Sequence, residues 1–294
     1  MDLRFARLFT KKLIAQLKSD PIPDLAATLA FYFILSIFPL MIFVLAGVSF
    51  FEINNDEVQN LINAYFPGEI GDTFSRIVLN TIGEPQAGLL SIGILGTLWS
   101  ASNGINAFIR SVNRAYNIEE TRHFLKLRSI AIGLTVGMVL LIIITLALPV
   151  FGNQILNLLE AFLLLPTEVV AMLDNFRWIA AFAIMIVALM ALYWIAPNAK
   201  QRFRDGLIGA IFATIGWQLI SFFFSLYVSN YANYESTYGP LAGVIILMFW
   251  FFLTGIILIV GAEINATLHH LRKKKRLKRI ETHYVGMMVA ELTN

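Results

Sequence analysis

Residues 240–262 read PLAGVIILMFWFFLTGIILIVGA, 23 residues without one Asp, Glu, Lys or Arg, and seven basic residues follow between Arg272 and Arg279. At 1.5 Å per helical residue, such a stretch reaches across the roughly 30 Å hydrocarbon core of a bilayer, and in water it would have no polar face to offer. Working backwards, five more stretches lack those four residue types: 25–51, 87–109, 129–151, 178–196 and 206–228. The six together hold 138 of the 294 residues. All 41 charged residues fall in the other 156, about 26% of them, although charged residues are 14% of the whole chain. That local density is the roughly 25% of an ordinary soluble surface. Membrane spans alternating with wet connections account for both numbers. The pattern excludes a secreted, cytosolic, collagenous or disordered chain. It also excludes an outer-membrane barrel, whose strands alternate over about ten residues.

The expected fold is all-α, a polytopic membrane protein with six transmembrane helices. Its expected parts are a basic amphipathic segment at 1–24, the transmembrane domain at 25–263 and a basic tail at 264–294. Twenty of the 22 Lys and Arg lie in the N-terminal segment, the second-to-third and fourth-to-fifth connections and the tail; only Arg76 and Arg177 lie in the other connections. The positive-inside rule therefore puts both termini in the cytoplasm. The first apolar stretch is longer than the core of a cleavable signal and has no small-residue cleavage site after it, so it reads as a signal anchor. Leu3, Phe5, Leu8, Phe9, Leu13, Ile14 and Leu17 recur near helical spacing among basic residues, which predicts an amphipathic helix in the cytoplasmic interface. Two of the outer connections carry the same kind of pattern, Val58, Leu61, Ile62, Tyr65 and Phe66 in the first and Ile155, Leu158, Leu159, Phe162 and Leu163 in the second. These predict surface helices or a lid. The net charge of +3 records this topology, and the 272–279 run reads as an anchor on anionic headgroups, with no nucleic-acid partner expected.

Within the spans, Gly93, Gly96, Thr97, Ser100, Asn103, Gly104 and Ala107 form a small, polar stripe. Close helix packing explains it without a ligand; a polar translocation path is the other reading. Trp99, Trp217 and Trp250 fall near the middle of three spans, where an indole N–H facing lipid lacks a partner, so they are expected to point inward toward groups such as Ser100, Gln218 or Thr254. Tyr193 and Trp194 fit an interfacial belt. Pro39 inside the first span predicts a kink. A weak repeat of Gly88-Leu89 with Trp99 against Gly206-Leu207 with Trp217 leaves open an inverted duplication of three spans. The ionisable candidates stand at the span edges: Asp24, Arg110, Arg114 and Glu263. Arg110 or Arg114 is expected to pair with Glu263 at one interfacial depth.

Several sequence pieces resemble the YihY/BrkB family of bacterial inner-membrane proteins. They are Ala26 to Tyr32, Ser36 to Leu40, Leu98 to Ser102, Asn113-Arg114-Ala115-Tyr116 with Arg122, Pro197-Asn198, Gly206, Gly209-Ala210, Tyr238-Gly239, Trp250 and Gly261 to Asn265. Some members of that family carry the older label ribonuclease BN. The resemblance implies a six-helix membrane fold and leaves the activity ill defined. A ribonuclease needs a metal cluster or an acid and base pair by an electropositive groove. The four histidines, His123, His269, His270 and His283, have no such spacing and are expected to be solvated. There is no cysteine, no phosphate loop and no nucleophile elbow, so neither an enzyme nor a cofactor is expected. The spans carry no buried ionisable group of the kind ion pumps use. The expectation is a translocator of a lipid or similar amphiphilic envelope component. The alternative is a scaffold that presents its outer helices to an envelope protein. Membrane lipids are the expected partners on either reading.

Overall fold

The computed structural model describes residues 3–48, 87–141, 167–231 and 242–292. Among them the chain is helical, with no strand: α1 (Leu3–Ser19), α2 (Ile22–Val48), α3 (Ala87–Ala115), α4 (Phe124–Leu141), α5 (Thr167–Ile195), α6 (Leu207–Tyr231) and α7 (Ala242–Leu292). A single 3-10 turn, Phe203–Gly206, leads into α6. Four segments are long and apolar enough to cross a membrane: Ile22–Met41, Phe124–Leu141, Phe203–Val228 and Ala242–Lys273. The apolar part of α5, Ile179–Ile195, is shorter, and α3 has the length, at 29 residues, but its glycines, serines and asparagines dilute its apolar character. The outer connections expected to carry amphipathic helices lie outside the described residues, as do Tyr234 and Tyr238.

The amphipathic N-terminal segment is the helix α1, tied to the bundle where its last turns pass α3 and α7. Gln16 Nε2 donates to the Ala115 carbonyl at 3.0 Å, and the Thr267 hydroxyl donates back to Gln16 Oε1. α2 packs most extensively on α3, α7 lies against α2 and α6, and α5 lies against α6. The core is built from Ala26 and Leu29 of α2, Phe108 and Val112 of α3, Leu189 and Tyr193 of α5, Ala210 and Ala213 of α6, and Ile259 and Ala262 of α7. In α2, α3, α5 and α6 these lie toward the helix end nearest the basic connections, and in α7 they precede its basic run. Between apolar helices in lipid, close packing replaces the hydrophobic effect as the main attraction, which favours such small residues. Large side chains face outward instead, among them Phe31, Phe38, Leu95, Phe222 and Phe223. The bundle therefore presents an apolar outer surface suited to lipid.

The small stripe on α3 is packing surface. A Cβ added at Gly96 would stand 3.1 Å from Pro39, and one at Gly104 would stand 3.1 Å from the Phe33 ring, so the glycines set how near α2 approaches. Thr97 donates to the Gly93 carbonyl of its own helix, and Ala107 is buried.

Candidate functional site

Among the described residues, side-chain hydrogen bonds gather at the end where α1, α3, α5, α6 and α7 meet. α3 stops at Ala115 with a left-handed residue, Asn117 (φ 52°); the Asn117 N–H reaches the Arg114 carbonyl at 2.8 Å and the Ile118 N–H reaches that of Asn113 at 3.0 Å. Asparagine tolerates this conformation because its short polar side chain bonds locally, and the turn satisfies carbonyls that a helix end leaves over. It also aims the next residues at the end of α5.

There Glu120 and Arg122 form a two-pronged pair. Arg122 Nε donates to Glu120 Oε1 at 2.8 Å and Nη2 to Oε2 at 2.6 Å, while the Arg122 backbone N–H adds a third bond at 2.9 Å. The same guanidinium caps α5 through the carbonyls of Ile195 (3.3 Å) and Ala196 (2.8 Å). A cation at a helix C-terminus meets the negative end of the helix dipole and satisfies orphan carbonyls together. The bonds from Arg122 hold the Glu120 carboxyl below the usual carboxylate range. Asn113 closes the circuit: its Nδ2 donates to Glu120 at 2.8 Å, and its Oδ1 accepts the Asn198 N–H at 2.8 Å. Asn198 Nδ2 in turn donates to Thr121 Oγ1 at 2.7 Å.

A second knot joins α6 to α7. Asn265, 1% exposed, accepts the Gly209 N–H at 2.8 Å and donates to the Gly206 carbonyl at 3.2 Å. No Cβ fits at Gly209 or Gly261: the first would run into the Gly261 carbonyl and the second into the Tyr193 hydroxyl. Tyr193 is 1% exposed, and its hydroxyl donates to the Leu258 carbonyl at 2.8 Å. It is a buried strut and not the interfacial anchor expected, because the glycine gap at Gly261 admits its ring. Trp194 beside it is exposed, and its indole N–H donates to the Gln201 carbonyl at 3.1 Å. Tyr116 donates to Gln201 at 2.8 Å, and burial pushes its hydroxyl well above the usual phenol range. The expectation of solvated histidines fails for two: His269 lies against the Tyr116 ring at 5.6 Å, and His270 Nε2 contacts the Tyr116 carbonyl at 3.1 Å. His123 is exposed, and the His283 side chain lies outside the described residues.

Of the edge charges, Arg114 pairs with Asp20 at 3.1 Å, while Glu263 is buried beside both, its Oε2 without a hydrogen-bond partner. Arg110 and Asp24 are exposed. The turn between α1 and α2 brings Asp20 to Arg114, a contact 94 residues apart that no sequence spacing signals.

The tryptophans separate into two groups. Trp217 and Trp250 meet edge-on at 5.9 Å, and Trp250 Nε1 donates to Ser221 Oγ at 3.2 Å, so this pair does face its neighbours. Trp99 is 62% exposed, against the expectation that it points inward. The Arg128 guanidinium lies over its ring at 3.9 Å and donates to Asn103 Oδ1 at 2.7 Å, so the indole is partnered from outside the bundle. Gln218 is exposed, and Ser100 and Pro39 are half-buried. A groove of 350 Å³ lies elsewhere, between α4 and α5, walled by residues including Gly133, Leu134, Gly137, Met138, Ala188 and Ala191. Among the described residues, nothing lies within 4 Å of where a Cβ would stand at Gly133 or Gly137.

The bonds at the junction are made by Asn113, Arg114, Tyr116, Arg122, Asn198, Gly206, Gly209 and Asn265, drawn from four separate parts of the chain. A model of the family described as Virulence factor BrkB matches residues 13–283. The chain belongs to that family. A ribonuclease-like protein, YfkH, of Bacillus subtilis (strain 168) is 42% identical over 265 residues, covering 90% of this chain and 96% of that one. A UPF0761 membrane protein of Tolumonas auensis is 26% identical, covering 88% of this chain and 84% of its own. One of Psychrobacter sp. (strain PRwf-1) is also 26% identical, and there this chain spans about half the relative, 48%. No solved structure matches. The BrkB chain is thus an integral membrane protein of a membrane-protein family. Among its described residues no three His, Asp or Glu side chains gather as metal ligands.

Proposed function

We propose that this BrkB-family chain spans the inner membrane six times with both termini in the cytoplasm, and that it moves a lipid or similar amphiphile between leaflets. The groove between α4 and α5 carries the reading. It lies between two apolar helices, and its walls are aliphatic or glycine, with no titratable side chain among them. At Gly133 and Gly137 the volume of a side chain is left empty, which is room for an acyl chain and poor lodging for an ion. The bonded junction beneath it supplies a rigid base against which α4 can shift. No catalytic residue enters this reading, whatever the Bacillus relative's name suggests.

The test is reconstitution of the full chain in vesicles carrying a fluorescent phospholipid. Transbilayer movement should exceed that in protein-free vesicles, and Gly133→Leu or Gly137→Leu should slow it about tenfold, a barrier change near 1.4 kcal/mol. No acceleration across several lipid classes would overturn the translocator and leave the scaffold. For the topology, a reporter fused after Asn294 should be active only in the cytoplasm.

A further inference from the structure

Arg128 stands on the second turn of α4, in a segment apolar enough to cross a membrane. A guanidinium in that setting is costly unless it is paired or bonded, and one that persists marks a site. Its protein partners are all neutral. Nη1 donates to Asn103 Oδ1 at 2.7 Å, Nη2 to the Trp99 carbonyl at 3.3 Å, and the Trp99 ring lies beneath at 3.9 Å. Among the described residues no carboxylate pairs with it. Of the five N–H groups of a guanidinium, two are used by these bonds, and Nε is buried without a partner. Among the described residues the charge is held in place and not neutralised.

The surroundings say what would neutralise it. Trp99, Leu95 and Ile92 follow one another along one face of α3, with exposures of 62%, 68% and 61%. Phe124 and Leu125, at the start of α4, are exposed by 68% and 66%. Arg128 thus stands at one end of an apolar strip, at the level of Trp99. A planar, fixed guanidinium matches phosphate oxygens in pairs.

We propose that Arg128, positioned by Asn103 and Trp99, binds the phosphate of an anionic phospholipid, with an acyl chain lying along Trp99, Leu95 and Ile92. The chemistry shared with a free phosphate ion is the guanidinium contact; the apolar strip is what assigns the site to a lipid. Its role in loading rests on the translocator reading, but its binding does not. Lipid retention with no transbilayer movement overturns the translocator alone, whereas movement without selective retention overturns this site alone.

The experiment uses the full chain in detergent micelles containing phosphatidylglycerol and phosphatidylcholine in equal amounts, with retained lipid counted by native mass spectrometry. The wild type should prefer phosphatidylglycerol about tenfold. Arg128→Gln should bring the ratio close to one, Arg128→Lys should keep part of it, and Lys126→Gln, an exposed charge two residues away, should leave it unchanged. A preference that survives Arg128→Gln overturns the site, as does an equal loss in Lys126→Gln, which would mean diffuse surface charge. Release of the lipid by inorganic phosphate as readily as by phosphatidylglycerol reassigns the site to a free ion and overturns the lipid. If Arg128→Gln does not stay folded, Trp99→Leu decides: a several-fold weaker preference supports the site and an unchanged one overturns it.

Discussion

The α6–α7 crossing and the α4–α5 groove are both built on glycine pairs, and they use the same residue for opposite ends. At Gly209 and Gly261 the absent side chain brings two backbones together, with Asn265 bonding across the seam. At Gly133 and Gly137 the absent side chains leave space that nothing in the described protein fills. Small residues in a span therefore report either contact or vacancy, and only the neighbour decides which. The contrast locates rigidity at the junction near the basic connections and adaptability along α4.

The sharpest way to break the comparison is to give each glycine a methyl group. Gly209→Ala forces a Cβ into the backbone of α7, and a loss of about 3 kcal/mol is expected, at the upper end for overpacking, because the obstruction is main chain and cannot rotate away. Thermal unfolding in detergent reads it; a melting temperature equal to wild type would show that the crossing is looser than described. Next, Asn265→Ala leaves the Gly209 N–H and the Gly206 carbonyl buried and unpaired, for about 2–3 kcal/mol by the same measurement.

Arg122→Ala should follow at about 2 kcal/mol, the scale of hydrogen bonds to charged groups, since it removes the bonds to Glu120 and the cap on α5. This one depends on pH. The Glu120 carboxyl is lowered by Arg122, so the pair's stabilisation is complete above the unfolded glutamate value of about 4.3 and is lost as pH falls through the lower folded-state value. Glu120→Gln should flatten that acid limb, and an unaltered limb would place the titration elsewhere. The smallest effect belongs to the other glycine pair. Gly137→Ala meets no atom and removes backbone freedom from a helix, so it should raise stability by about 0.5–1 kcal/mol. A loss at Gly137 comparable to that at Gly209 would erase the distinction between the two regions.

Legibility from sequence followed the same division. The helical, apolar character of the chain and the amphipathic α1 were readable, because a span needs its apolar residues to be contiguous. The pieces that carry the family resemblance were readable as fragments, from Ala26 to Asn265, without any sign that they converge. The inward placement of Trp99 failed because the expected partners were sought inside the bundle, and Arg128 reaches it from the neighbouring helix. The pairing of Arg114 was sought at Glu263 by depth, and the turn at Asp20 supplied a nearer carboxylate. Tyr193 read as belt because its height in the span is right; the gap at Gly261 turns it inward.

Transfer of a side chain from water to hydrocarbon depends on that side chain alone, so the order of charged and uncharged stretches determined by itself that this protein lives in a membrane. Which face of each helix meets which neighbour depends on crossing positions and rotations that involve residues as much as 251 apart, as between Gln16 and Thr267. The junction, the groove and the setting of Arg128 were therefore decided only by the tertiary structure.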